Sequence, residues 1–342
     1  MTQINDASID IGHTQFGWIS SVRKRSTFRG SPTISADILL TQPQSKNCIA
    51  AIKERFTLHS LIDATDPDAL LAEVGGRIRG IAGGKVNAGL IGKLPKLEII
   101  AHSGVGTDSI DLNAARTRGI RVTNTPDVLN DAVAELTIGL MLALGRRLPL
   151  ADRYIRDGKW HGGMYPLTGE LNGKTLGIVG LGRIGKEIAA RASAMKMKVV
   201  SHGPNRQSDQ PYTYYADLTE MARDAEWLVL IAPGGRETEG IVSRQVLEAL
   251  GKKGALVNMA RSSLVDEAAL IEMLTDGRLG GAALDVFANE PAGPEALLAL
   301  DNVVLSPHQG SRTTETRDAV GRLVVANLDA YFAGKPLISP VV

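Results

Sequence analysis

One cysteine, Cys48, is present in 342 residues. No internal disulfide can form, and the sequence reads as one kept in a reducing compartment. No apolar run reaches the roughly 20 residues that span a bilayer, and the first residues lack the apolar stretch of a secretion signal. A cytoplasmic protein without a membrane partner is expected. Lys and Arg number 38 against 37 Asp and Glu, a net charge of +1. That balance gives no global attraction to nucleic acid or anionic lipid, so charge-driven chemistry has to come from a local site. No internal repeat or low-complexity segment is evident, and no metal site is expected.

What is present is glycine, 37 residues of it, as short turns between many strands and helices require. The length suffices for two domains with a core each. Residues 1–34 fit no element; Arg23, Lys24, Arg25 and Arg29 form a small basic cluster there. Because the run is short and acids precede it, a mobile extension is expected rather than a nucleic-acid arm.

From Ala36 onward strands alternate with helices. Apolar runs at 38–40, 78–82, 97–101 and 120–123 read as strands, with a helix over 46–53. Such alternation implies a parallel sheet covered on both faces. Right-handed crossovers then put every strand-to-helix loop at one edge. Thr125 followed by Pro126 has the form of a helix start, a capping hydroxyl and then a residue that needs no N–H. The helix it opens carries Val133, Leu136, Leu140 and Leu144 and ends near Gly145; another is expected over 150–158.

The organising stretch runs from Lys174 to Arg206. Thr175 to Val179 is a strand, Gly180-Leu181-Gly182-Arg183-Ile184-Gly185 a glycine turn, and Ile184, Ile188, Ala192 and Met195 mark one helix face. Val199-Val200 is the next strand. A G-x-G-x-x-G between a strand and a helix is a dinucleotide-binding signature. Gly180 allows the tight turn, Gly182 lets a pyrophosphate approach the backbone, and Gly185 lets the helix sit close on the strand. The free N–H groups of the helix then meet the phosphates. An NAD site typically has an acid at the end of the second strand, about 20 residues past the motif. Here no acid appears until Asp209, and Asn205 and Arg206 offer an amide and a cation suited to a 2′-phosphate. NADP(H) is therefore the expected cofactor, with NAD(H) possible.

Four further strands are expected over 227–232, 255–259, 282–287 and 303–305, and a last helix over 314–332 should return to the first domain. Arg261, Glu290 and His308 each follow such a strand, at the sheet edge where ligands bind. A guanidinium, a carboxylate and an imidazole beside a dinucleotide suit reduction of a 2-keto acid. Arginine's fork suits the substrate carboxylate and can polarise the carbonyl. Histidine supplies the proton that the oxygen needs as hydride arrives, and a carboxylate partner favours the imidazolium.

These motifs resemble those of the D-isomer-specific 2-hydroxyacid dehydrogenase family, from about residue 36 to the C-terminus. The likeness rests on residues 177–185, Asn258-Met259-Ala260-Arg261, Asp285-Val286-Phe287 with Glu290-Pro291, and Pro307-His308-Gln309-Gly310. The part from Gly169 onward most resembles glyoxylate/hydroxypyruvate and hydroxyphenylpyruvate reductases. By that resemblance Arg261 binds substrate, Glu290 supports the histidine and His308 is the acid/base. Val105 and Gly106 would hold the substrate carboxylate through backbone N–H groups, and Asp285 would touch the nicotinamide carboxamide. Cofactor contacts would come from Gly180, Leu181, Gly182, Arg183, Ile184, Asn205, Arg206, Ala232, Pro233, Met259, Ala260, Arg261, Asp285, His308 and Gly310. Ser262 departs from the family's usual glycine.

The implied fold is α/β, two doubly wound parallel-sheet domains. A Rossmann cofactor domain (132–308) is inserted into a flavodoxin-like substrate domain (35–131 and 309–342). The resemblance also implies a homodimer built largely through the cofactor domain and its long helix. With Val342 as its last residue the chain is expected to lack an added regulatory domain, which argues against the longer phosphoglycerate dehydrogenases but leaves the shorter ones open. Two alternatives stay open: a corepressor-like dinucleotide sensor on the same fold, and an NAD-dependent dehydrogenase of another D-2-hydroxy acid.

Overall fold

In the computed structural model, residues 36–342 are described, and they fold about two separate sheets in which every strand pair is parallel. The basic cluster at residues 23–25 lies outside them. The first sheet is built from β1 (Asp37–Leu40), α1 (Lys46–Lys53), β2 (Thr57–Ser60), α2 (Pro67–Val74), β3 (Ile78–Gly83), α3 (Ala88–Gly92), β4 (Ile99–His102), α4 (Leu112–Thr117) and β5 (Arg121–Thr123). Its strand order is β2-β1-β3-β4-β5, the flavodoxin arrangement, which reverses direction between β1 and β3. Ile38, Ile81, Ile99 and Ile100 are fully buried. Apolar side chains on both faces of one sheet are what parallel strands covered by helices require.

The crossing to the second sheet differs from the expected helix start. Thr125 and Pro126 do not open a helix: α5 (Asn130–Gly145) begins five residues later. Asp127 has a φ of 68°, and Val128 N–H donates to Pro126 C=O. A left-handed residue followed by a tight turn is incompatible with helix at that point. The Thr125 N–H instead donates to Gly104 C=O at 2.9 Å, which ties the crossing to the loop after β4. Then come α5 and α6 (Leu148–Arg156).

The second sheet comprises β6 (Thr175–Val179), α7 (Arg183–Ala194), β7 (Lys198–His202), β8 (Thr213–Tyr215), α8 (Leu218–Asp224), β9 (Trp227–Leu230), α9 (Arg244–Leu250), β10 (Ala255–Asn258), α10 (Glu267–Thr275), β11 (Gly281–Leu284), α11 (Glu295–Leu298) and β12 (Val303–Leu305). The order is β12-β11-β10-β9-β6-β7-β8, a Rossmann order with its reversal between β6 and β9. One core face buries Leu228, Leu230, Leu256 and Leu284, the other Ile178, Val229, Val257 and Met141 of α5.

The last helix, α12 (Thr314–Phe332), leaves this sheet and packs Val320, Val324 and Leu328 with Ile38, Leu40 and Ile99 of the first. The tail follows it home. Ser339 Oγ donates to Asn124 C=O and accepts from Asn327 Nδ2, and Val341 N–H donates to Val122 C=O. Asn327 is fully buried, so these partners satisfy an amide that would otherwise be costly to enclose.

Candidate active site

Parallel register brings the ends of the second sheet's strands into one row. His202, Val179, Leu230, Asn258, Leu284 and Leu305 are successive cross-strand partners. The residues just beyond the row are Gly180 after β6, Ala232 and Pro233 after β9, Met259 to Arg261 after β10, Asp285 after β11, and Ser306 to His308 after β12. Facing them are the loops at the corresponding edge of the first sheet. Between lies a cleft of about 1440 Å³, whose lining includes Val105, Gly106, Gly182, Arg183, Ile184, Ala232, Pro233, Met259, Ala260, Arg261, Asp285, Glu290, His308 and Gly310. Of the residues singled out from the sequence, Gly180 and Leu181 are not part of this lining. Asn205 and Arg206 stand exposed on the loop after β7.

Each glycine of the turn has its own geometry. Gly180 has φ +100°, and a Cβ there would come within 2.7 Å of Ala232 N. A Cβ at Gly185 would collide with Gly180 C=O, whereas one at Gly182 would meet nothing. That open approach faces the start of α7, whose N-cap Gly182 supplies no side-chain cap. Uncapped N–H groups on a helix that lines the cleft are a ready anion site. These features fit a dinucleotide pyrophosphate. Arg183 is held by Asp127 at 3.0 Å. At the end of β7, His202 Nδ1 lies 3.0 Å from Tyr215 C=O. The first acid beyond, Asp209, is paired with Lys186 of α7 at 3.2 Å.

His308 has φ 48°, a left-handed conformation that a non-glycine residue rarely takes. Its Nδ1 lies 2.7 Å from Glu290 Oε2, and Glu290 Oε1 accepts from Phe287 N–H at 3.1 Å. The glutamate is thus held from behind while it fixes the ring. With Nδ1–H donating to the carboxylate, Nε2 is left for a reacting atom.

The loop beneath His308 is anchored by Asp285, which is 2% exposed. Oδ1 of Asp285 accepts from Ser306 Oγ at 2.5 Å and from Gln309 N–H at 2.9 Å, and Oδ2 accepts from Gly310 N–H at 2.9 Å. Three donors on one carboxylate compensate its burial.

Arg261 bridges the two sheets. Its Nε and Nη2 donate to Asp108 Oδ2 and Oδ1, both at 2.9 Å, and Nη1 donates to Ala260 C=O at 2.7 Å. Five guanidinium hydrogens less three leaves two for a ligand. The Arg261 hydrogen bond holds the Asp108 carboxyl below the usual aspartate range, against its partial desolvation. Asp108 closes the segment 102–108 and was not singled out from sequence, although it stands two residues after Gly106. His102, also missed, is 5% exposed with Nδ1 3.0 Å from Gly83 C=O and Nε2 2.8 Å from Gly106 C=O. Burial pushes its pKa below the ordinary histidine value; a neutral ring donates to only one of the two carbonyls.

Comparisons with known proteins bear on this arrangement. The model of the D-isomer specific 2-hydroxyacid dehydrogenase NAD binding domain matches residues 138–310. A glyoxylate/hydroxypyruvate reductase of Arabidopsis thaliana is 47% identical, over 90% of this chain and 99% of its own. Hydroxyphenylpyruvate reductase of Plectranthus scutellarioides is 45% identical, over 89% and 98%. Among solved structures, the NADPH-dependent glyoxylate/hydroxypyruvate reductase of Sinorhizobium meliloti, in complex with NADP and malonate, superimposes with a TM-score of 0.85. It is 41% identical and covers 90% of this chain and 97% of that one.

Proposed function

The chain belongs to the D-isomer specific 2-hydroxyacid dehydrogenases, NAD(P)-dependent oxidoreductases, and from this premise we propose that it reduces a small 2-keto acid of the glyoxylate/hydroxypyruvate class with NADPH, in the cytoplasm. The observation that carries the reading is the pairing of His308 with Glu290 at 2.7 Å, in one cleft with Arg261 and the uncapped start of α7.

The start of α7, with Gly182 to Ile184, holds the pyrophosphate, and the bound cofactor supplies the hydride. The two remaining Arg261 hydrogens and the Val105–Gly106 backbone hold the substrate carboxylate and turn its carbonyl toward the nicotinamide. His308 Nε2 gives the proton to the carbonyl oxygen as negative charge gathers there. Glu290 stabilises the imidazolium and fixes its orientation; in the reverse direction the neutral ring takes the proton back. Asn205 and Arg206 bind the 2′-phosphate, a role favoured by the lack of a free acid at the end of β7.

The substrate unit is assigned to residues 35–131 and 309–342 and the cofactor unit to 132–308. The packing of α5 beside α7 and of α12 beside α1 supports this division. The assembly is a homodimer, supported by the apolar side chains of Leu148, Ile155, Trp160, Met164 and Leu167, all exposed. No described helix is long and apolar enough to cross a membrane.

Turnover with NADPH and with NADH, on glyoxylate, hydroxypyruvate, pyruvate and hydroxyphenylpyruvate, tests the reading. Reduction of glyoxylate or hydroxypyruvate is expected. Tight dinucleotide binding without turnover of any of the four contradicts it and favours the sensor alternative.

A further inference from the structure

The substrate carboxylate is assigned to backbone N–H groups on a half-buried loop after β4, and that loop needs something to hold its shape. The N–H groups of Val105 and Gly106 donate to nothing among the described residues, and both residues line the cleft. The loop's carbonyls, in contrast, are all taken. Gly104 C=O accepts from Thr125 N–H at 2.9 Å, and Val105 C=O accepts from Asn124 Nδ2 at 2.9 Å. Gly106 C=O lies 2.8 Å from His102 Nε2.

A trans peptide is planar, so its C=O and the next residue's N–H point in opposite directions. Tying a carbonyl back therefore turns the following N–H away from the tie. The bond from Thr125 to Gly104 C=O sets Val105 N–H, and the bond from Asn124 to Val105 C=O sets Gly106 N–H. His102 fixes the third plane, which leads through Thr107 to Asp108 and the Arg261 fork. Successive backbone N–H groups left free in this way are an anion-binding device.

The ring hydrogen of His102 belongs on Nε2. Gly83 C=O, 3.0 Å from Nδ1, already accepts from Ser103 N–H at 3.1 Å, whereas Gly106 C=O has no other donor among the described residues. The chain also makes room for the ring. A Cβ on Gly84 would fall 2.8 Å from its Cε1, and one on Gly104 would fall 2.9 Å from Nε2. Asn124 is anchored independently of its side chain: its N–H donates to Ser339 C=O at 3.2 Å, and its C=O accepts from Ser339 Oγ at 2.6 Å. Its amide is thus spare for the loop. We propose that Asn124 and His102 are positioning residues for the substrate carboxylate, holding the 104–106 carbonyls so that the Val105 and Gly106 N–H groups are presented to it. The proposal rests on the reading of the cleft as a 2-keto acid reductase site.

The test measures, by calorimetry, binding of oxamate, an unreactive 2-keto acid analogue, to the enzyme–NADPH complex, alongside NADPH affinity and the thermal midpoint. Asn124→Ala keeps both backbone ties to Ser339 and loses only the amide donor. It should weaken oxamate at least about 10-fold. The KM for hydroxypyruvate should rise by a similar factor, with kcat within about threefold and the NADPH dissociation constant within about twofold of wild type. At position 102, glutamine puts its amide nitrogen where Nε2 stood, and asparagine puts it where Nδ1 stood. His102→Gln should therefore keep oxamate affinity within about threefold, and His102→Asn should lose at least about 10-fold. A merely structural role would move the thermal midpoint and leave oxamate affinity unchanged in the folded variants. Unchanged oxamate affinity in Asn124→Ala, or equal affinities in the two His102 variants, overturns the proposal; where variants at one position do not fold, the other position decides. Wild-type turnover separates the two readings. With glyoxylate or hydroxypyruvate reduced, those outcomes strike the positioning roles alone; with no 2-keto acid turned over, the function falls and the positioning roles with it.

Discussion

A methyl group at position 106 has nowhere to go. A Cβ built on Gly106 would fall 2.8 Å from Asp108 Oδ1 and closer still to Arg261 Nη2. The backbone there is not in the left-handed region, so alanine is not strained by its own φ and ψ. The obstruction comes from the arginine fork. A guanidinium is the far end of a flexible side chain, so in Gly106→Ala the fork moves aside by about 1 Å and the protein still folds. The bridge to Asp108 is worth little to stability, because its side chains are 34% and 42% exposed, and such pairs contribute roughly 0–1 kcal/mol. Catalysis is far more sensitive, since a 1 Å misplacement of a positioning group can cost about 100-fold. Gly106→Ala should therefore keep its thermal midpoint within a few degrees of wild type and bind NADPH normally. Its kcat/KM for hydroxypyruvate should fall about 100-fold. Stopped-flow turnover, cofactor titration and calorimetry separate the three quantities. A kcat/KM within threefold of wild type would refute the claim that the Gly106 backbone and the Arg261 fork grip the same substrate group.

Three further outcomes follow from the same geometry. Glu290→Gln removes the charged acceptor that holds His308 Nδ1, so kcat for reduction should fall while the NADPH dissociation constant stays unchanged. An unchanged kcat removes Glu290 from the pairing. Arg206→Ala should weaken NADPH about 10–100-fold and leave NADH nearly unchanged; equal weakening of both shows that the 2′-phosphate is held elsewhere. Gly185→Ala pushes a methyl into the Gly180 carbonyl, a backbone atom that cannot yield as a side chain does. It should abolish dinucleotide binding, and normal NADPH affinity by calorimetry would contradict the close approach of α7 to β6.

Both sheets could be read from sequence because their central strands are unbroken apolar runs, such as Trp227 to Leu230, every residue of which is buried. Two of the four edge strands could not. β2 and β8 are three or four residues long with no buried position, so no apolar run announces them. Several short helices were missed although they carry local signals: Asp66 caps Asp68 and Ala69 ahead of Pro67, and Asp266 caps Ala269. Thr125-Pro126 misled in the opposite direction. Its local chemistry suits a helix start, but the hydrogen bond to Gly104 comes from a distant loop that no local reading contains.

The site divides in the same way. Arg261, Glu290 and His308 stand out because each follows an apolar strand. Asp108 and His102 do not, because what distinguishes them is a partner distant in sequence or position: the Arg261 fork across the cleft for Asp108, and the Gly83 and Gly106 carbonyls for His102.

The central claim is that His308 delivers the proton in reduction of a 2-keto acid. His308→Asn tests it most directly, since asparagine tolerates the observed φ of 48° and cannot transfer the proton. Single-turnover reduction of hydroxypyruvate by NADPH should slow about 10²–10⁴-fold, while the NADPH dissociation constant stays within twofold of wild type. Near-normal turnover in a folded, cofactor-binding variant would contradict the account.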